Sequence, residues 1–177
     1  VFPVFKPAGQ SSGAVSDNFL KEWREQVAET PYFDRPTWLS RIGVENQQSL
    51  INVHEARNIL SKLATRSSQG GNRVVVVWLA EQMNTEAANK LLKILEEPPL
   101  GTVFILTADH PERLLATILS RTQRIDFKPL PETEVAAALQ RQCGLQPDDA
   151  KTVAHAAGGN FIKALQGVTL HADTAQF

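Results

Sequence analysis

The run Val74-Val75-Val76-Val77-Trp78-Leu79 restricts the fold more than any other part of the chain. Successive β-branched residues disfavour a helix, because their forked side chains lose rotamers against the preceding turn. The run does not alternate apolar with polar residues. It therefore reads as a strand buried on both faces, as in a parallel sheet. A helix follows it. Asn84 or Thr85 can cap this helix, and Ala88, Leu91, Leu92 and Leu95 fall on one apolar stripe at i, i+3, i+4 and i+7. Lys90, Lys93, Glu96 and Glu97 lie off the stripe, and Pro98-Pro99 prevents continuation. Val103 to Leu106 is a second strand of the buried type. Leu114, Leu115, Ile118 and Leu119 predict a short helix, and Arg124 to Phe127 a last strand.

The flanks are read by the same rules. Val1 to Phe5 predicts a short strand weakened by Pro3, and Lys6 to Val15 a loop. Ser16 is expected to cap a helix with apolar positions Leu20, Trp23 and Val27. Pro31 to Gly43 reads as irregular. Asn52, with Glu55 three residues on, resembles a capping box ahead of Val53, Ala56, Leu60 and Leu63. Ser67 to Asn72 reads as a loop. Beyond Lys128-Pro129 the texture becomes purely helical. One helix is punctuated by Pro131 and Gly144. Another starts at Pro147 and stops at Gly158-Gly159. A third carries Phe161, Leu165 and Val168. The expected division is an α/β core over residues 1–128 and a helical module over 129–177.

Composition excludes several classes. Lysine plus arginine number 18 and aspartate plus glutamate 19, a formal net charge of -1. A generally basic nucleic-acid surface is not supported, though a local patch stays open. One cysteine, Cys143, excludes an internal disulfide and a cysteine-rich zinc site, and fits a reducing compartment. Cys143 is expected to pack as a small hydrophobe near a helix end. His54, His110, His155 and His171 lack metal-ligand spacing. Val74 to Ala80, the longest apolar run, is too short to span a bilayer, so no membrane partner is expected. The first residue is Val rather than Met, so flanking sequence is expected.

Two stretches carry a resemblance. Glu86-Ala87-Ala88-Asn89-Lys90-Leu91-Leu92-Lys93-Ile94-Leu95-Glu96-Glu97-Pro98-Pro99 closely resembles the signature helix of bacterial clamp-loader subunits. Leu114-Leu115-Ala116-Thr117-Ile118-Leu119-Ser120-Arg121-Thr122 resembles the Ser-Arg-Cys segment of the same family, with Thr122 in place of Cys. The similarity runs from about Ile51 to Leu165, and the family is the AAA+ clamp loader of DNA polymerase III. It implies an α/β AAA+ (P-loop NTPase-like) fold: a parallel sheet with flanking helices, then a small three-helix lid. The family's central first strand, phosphate loop and four-cysteine zinc module precede the matched region, and its collar domain follows it.

Departures from the family pattern imply which kind of subunit this is. Hydrolysing relatives end the buried strand in Asp-Glu, for the magnesium shell and the attacking water. Trp78 and Leu79 stand there, and neither can accept a hydrogen bond from water or a metal shell. Glu81 lies two positions beyond the family's Glu. No Gly-x-x-x-x-Gly-Lys-Ser/Thr motif occurs, and Gly70-Gly71-Asn72 reads as a turn. In the segment resembling sensor two, Ile162 takes the place of Arg, and Lys163 points about 100° away on a helix.

The resemblance then implies a non-hydrolysing subunit with no cofactor of its own. Its chemistry would act on ATP held by a neighbouring subunit. Arg121 would be an arginine finger in trans, supported by Ser120; the plainer reading is a solvated arginine at a helix end. The plainer reading of Ser120 is that it caps a local turn. Thr107 stands at the sensor-one position, or its hydroxyl caps the following turn. Lys90 and Lys93 either pair with Glu96 and Glu97 or contact DNA backbone. Trp23 and Trp38 are expected to pack. The implied partners are gamma/tau-like motor and delta-like subunits, with the sliding clamp and primed DNA through the assembled ring, in the cytoplasm. Two alternatives use the same residues: an active gamma-like motor, or an interaction scaffold with no role at any ATP site.

Overall fold

The computed structural model describes residues 4–5, 14–44, 49–64 and 71–174. Most of the loop expected at Lys6 to Val15, and Gly70, lie outside them. The chain packs as two compact units, one of Val1–Ala28 with Arg35–Arg124, the other of Glu29–Asp34 with Ile125–Phe177.

In the first unit, β1 (Val4–Phe5) pairs antiparallel with β2 (Ser49–Leu50). The second sheet is parallel, pairing β3 (Arg73–Val77) with β4 (Thr102–Leu106). The crossover between them is α4 (Thr85–Glu96), which packs beside α3 (Val53–Ala64). Ala56, Ile59 and Leu63 of α3 meet Ala88, Leu91 and Leu95 of α4 in one core, against Val75 and Phe104 of the sheet. The period-3.6 stripe read from sequence is thus the stripe that is buried. Asn84 caps α4, its Oδ1 accepting from the Ala87 amide at 2.8 Å.

Two-sided burial of the strands does not hold among the described residues. Both helices lie over one face. Val74 and Val76 stay 58% and 46% exposed, and Val103 and Ile105 53% and 46%. The last strand expected at Arg124 to Phe127 has no ladder, and Ile125 and Phe127 are 73% and 93% exposed. A strand without a neighbour has nothing to receive its amides, so an apolar pattern alone does not make one.

The first helix also differs from expectation. A 3-10 turn over Ser16–Phe19 leads into α1 (Leu20–Glu29). Ser16 does not cap. It is buried, and its amide and hydroxyl both donate to the Glu55 carboxylate, the hydroxyl at 2.8 Å. Glu55 is therefore unavailable for the reciprocal half of a capping box. Asn52 supplies the other half, its Oδ1 accepting from the His54 and Glu55 amides at 2.8 and 3.2 Å. Gln26 rather than Leu20 or Val27 is buried on α1, and it accepts from Arg41 Nη1 at 3.1 Å. Within the stretch read as irregular lies α2 (Arg35–Arg41), which buries Trp38 and Leu39. Pro36 is compatible with it because a first-turn amide has no intrahelical partner. A single turn, α5 (Ala116–Leu119), anchors Ile118 in the same core as Leu91.

The second unit is three helices, α6 (Glu132–Cys143), α7 (Pro147–Ala157) and α8 (Phe161–Thr174). Val135, Leu139, Ala150, Val153, Ala154 and Ala164 form its core, with Cys143 partly buried against it. Gly144 and Gly158 end α6 and α7 in the left-handed region, at φ 69° and 59°. Gly159 (φ +80°) lets the chain return so closely that a Cβ would lie 2.6 Å from the Leu130 carbonyl oxygen. The short segment before α2 belongs to this unit: Tyr32 meets Phe161 edge-on at 4.9 Å, and Gln166 donates to Asp34 at 3.0 Å.

Candidate functional site

Arg121 sits just past α5, and Ile118, buried in the core, fixes where it stands. Its Nε donates to Glu96 Oε2, the last residue of α4, at 2.9 Å. Its Nη1 donates to the Thr117 carbonyl at 3.2 Å and to Ser120 Oγ at 3.4 Å. The guanidinium thus lies beside the C-terminal ends of two helices, where unpaired carbonyls carry partial negative charge and favour a cation. Its side chain keeps 31% of its surface exposed. Ser120 touches both the local turn and Arg121. Its hydroxyl donates to the Thr117 carbonyl at 3.1 Å, closing the local turn, and accepts from Arg121. Thr122 points inward, its hydroxyl donating to the Ile118 carbonyl at 3.0 Å.

Glu96 is a site residue that sequence reading missed. Its place off the apolar stripe predicts lysine partners; it is exposed as that predicts, but it pairs with Arg121. One signal was present. A carboxylate on the last turn of a helix is electrostatically misplaced unless a cation compensates it.

The other candidate positions are filled by packing. Trp78 lies against Trp23 with ring centroids 5.3 Å apart, and Trp23 meets Trp38 edge-on at 5.2 Å. The tryptophans pack, as expected for Trp23 and Trp38, and Trp78 joins them. Leu79 is 3% exposed and holds φ 55°, ψ 58°, the described residues' sole positive φ outside glycine. A left-handed leucine costs about 1–2 kcal/mol. Thr107 braces this bend: its hydroxyl accepts from the Leu79 amide at 3.3 Å and its carbonyl from the Ala80 amide at 2.7 Å. The hydroxyl thus serves the loop after β3 rather than the turn after β4. Glu81 Oε1 accepts from the Asp109 amide at 3.2 Å. Trp78 and Leu79 offer no ligand to a magnesium ion.

No hydrogen bond links the Arg121–Ser120 pair to the Thr107–Leu79 pair among the described residues. In the helical unit, Asn160 caps α8 by accepting from the Lys163 amide at 3.0 Å, with Ile162 partly buried and Lys163 exposed. Lys90 and Lys93 are exposed on α4. Among the described residues no group of three His, Cys, Asp or Glu side chains could hold a metal ion, and no helix is long and apolar enough to cross a membrane.

Comparison with known proteins places this arrangement. Residues 34–131, more than half of the chain, match the family described as DNA polymerase III, delta subunit. DNA polymerase III subunit delta' of Escherichia coli is 37% identical over 107 residues, 60% of this chain and 32% of that protein. The delta' subunit of Haemophilus influenzae is 45% identical over 86 residues, 49% of this chain and 26% of the relative. The gamma/tau subunit of Mycobacterium tuberculosis is 37% identical over 113 residues, 61% of this chain and 20% of the relative. The chain therefore spans at most about a third of the length of these relatives. Among solved structures, a DNA polymerase III gamma subunit-related protein of Thermotoga maritima superposes with a TM-score of 0.54 at 28% identity, over 71% of this chain and 40% of that one. The fold is the α/β AAA+ type, and the chain belongs to the DNA polymerase III delta-subunit family, with a delta-prime-like sequence.

Proposed function

We propose that the protein is a non-hydrolysing, delta-prime-like subunit of the DNA polymerase III clamp loader. In this reading it helps place the sliding clamp on primed DNA, and it lends Arg121 to ATP bound by a neighbouring gamma/tau-like motor subunit. The observation that carries the reading is the contrast within one unit. The carboxylate positions after β3 are Trp78 and Leu79, both given over to packing, while the arginine after α5 keeps part of its guanidinium open. Guanidinium stays charged at every accessible pH and donates in a planar fork. Presented across a subunit boundary, it would offset charge developing on phosphate oxygens. Because the arginine would bridge two subunits, nucleotide binding at that junction would couple to closure of the ring.

The gamma/tau relatives are as similar in sequence as some delta' relatives, so an active motor is the second reading. Trp78 and Leu79 argue against it. Thr107 would be a degenerate sensor one whose hydroxyl is committed to the Leu79 amide. Lys90 and Lys93 would lie on the solvent face of α4, available to a DNA backbone in the ring. A cytoplasmic location and contact with a delta-like subunit follow from the same assignment. The experiment is turnover by the intact protein alone. We expect none above background, and ATP hydrolysis that survives removal of any contaminating motor subunit would reject the reading.

A further inference from the structure

We infer that Glu96 is the positioning residue for Arg121, holding the guanidinium by its inner nitrogen so that Nη2 is presented to a phosphate. This rests on the reading of Arg121 as a finger. Arginine–carboxylate pairs are frequently bidentate, two parallel N–H bonds to one carboxylate. Here Glu96 takes Nε alone, at 2.9 Å. Nη1 is shared between two neutral oxygens at 3.2 and 3.4 Å, and Nη2 has no hydrogen-bond partner among the described residues. Fixing Nε restricts the last torsions of a side chain that is otherwise among the most flexible. Nη2 is left as the free end.

The pairing is also long-range in sequence. It ties the end of α4 to the turn after α5, and both elements are anchored in one core through Leu95 and Ile118. A shift in the position of a catalytic group by about 1 Å can cost about 10²-fold in rate. A carboxylate that sets this position therefore affects turnover without touching nucleotide. A lock that must open before Arg121 can work is the opposite arrangement, and it predicts the opposite sign.

The test uses the intact protein assembled with its partner subunits, clamp and primed DNA, reading kcat and KM for ATP. Arg121→Ala serves as the reference. Glu96→Ala is expected to lower kcat about tenfold with KM changed less than about twofold. Glu96→Gln, whose amide oxygen still accepts from Nε, should recover most of that loss. The double variant Glu96→Ala/Arg121→Ala should be no slower than Arg121→Ala alone, because both act through one guanidinium. The thermal midpoint should move by less than about 2 °C, as for an exposed ion pair. Wild-type kcat for Glu96→Ala beside a slow Arg121→Ala overturns the positioning role and leaves the finger standing. A faster Glu96→Ala overturns it in favour of a lock. Wild-type kcat for Arg121→Ala overturns the finger itself, and this inference with it.

Discussion

Two segments of the first unit invite comparison: the loop that leaves β3 and the turn that leaves α5. Each lies where the resemblance to the family implies chemistry. The first has been absorbed into the interior. Trp78 rests on Trp23, Leu79 is 3% exposed, and Thr107 spends its hydroxyl on the bend. The second remains a polar surface with a cation, a carboxylate and a donor left over. On the proposed reading, the difference shows how one site could be retired and another kept on the same scaffold. Replacing acids by large apolar groups converts a reactive loop into core, and stability then opposes any return.

The comparison can be broken from the packed side first. Trp78→Ala should destabilise the protein by roughly 2–4 kcal/mol, short of the full cost of a wholly buried tryptophan because Trp78 is only half-buried. Denaturant unfolding checks this. Trp78→Asp should lose at least as much and restore no ATP turnover; a gain of turnover would show that the β3 loop is still a nucleotide site. Next comes Leu79. Both Leu79→Ala and Leu79→Gly remove a buried side chain, but only glycine relieves the left-handed backbone. The glycine variant should therefore be more stable than the alanine variant by about 1 kcal/mol. Equal stabilities would mean that the bend stores no strain.

Thr107→Val is a smaller perturbation, expected to cost about 1 kcal/mol by leaving the Leu79 amide without its acceptor. If it instead abolished loader activity at unchanged stability, Thr107 would belong with Arg121. The smallest effect is on pH. Hydrogen bonds from Lys62 first, and then from Asn58, hold the Asp17 carboxyl below its ordinary value. A depressed folded-state pKa contributes stability above the unfolded value of about 3.9, lost as pH falls through the folded one. Asp17→Asn should thus flatten the acid limb of the stability curve slightly, because the pair is partly exposed and screened. A large change would assign Asp17 a bigger part than its surroundings support.

Much of this was legible in local patterns. Asn84, Gly144, Pro147 and Gly158 mark helix ends by chemistry that acts within four residues, and the structure puts helix ends there. The α4 stripe was legible because one helix face meets one core. What failed was non-local. Glu55 looked like half of a capping box, but Ser16, 39 residues earlier, takes its carboxylate. Arg35-Pro36 concealed α2, since proline in a first turn gives the same local signal as a loop. The openness of one sheet face depends on where two helices lie, not on the strand's own residues. The Glu96–Arg121 contact spans 25 positions and two motifs, and no spacing rule joins them.

The most direct test of a retired site beside a lent arginine is ATP hydrolysis by the assembled loader, stimulated by clamp and primed DNA, with Arg121→Ala in this subunit. Lone arginine fingers contribute roughly 10³–10⁵ in rate, and a loader averaging several sites should show the low end or less. We expect stimulated turnover to fall at least about tenfold while the loader still assembles and the subunit stays folded. Turnover indistinguishable from wild type would contradict the account, and Arg121 would then be a surface arginine with a local partner.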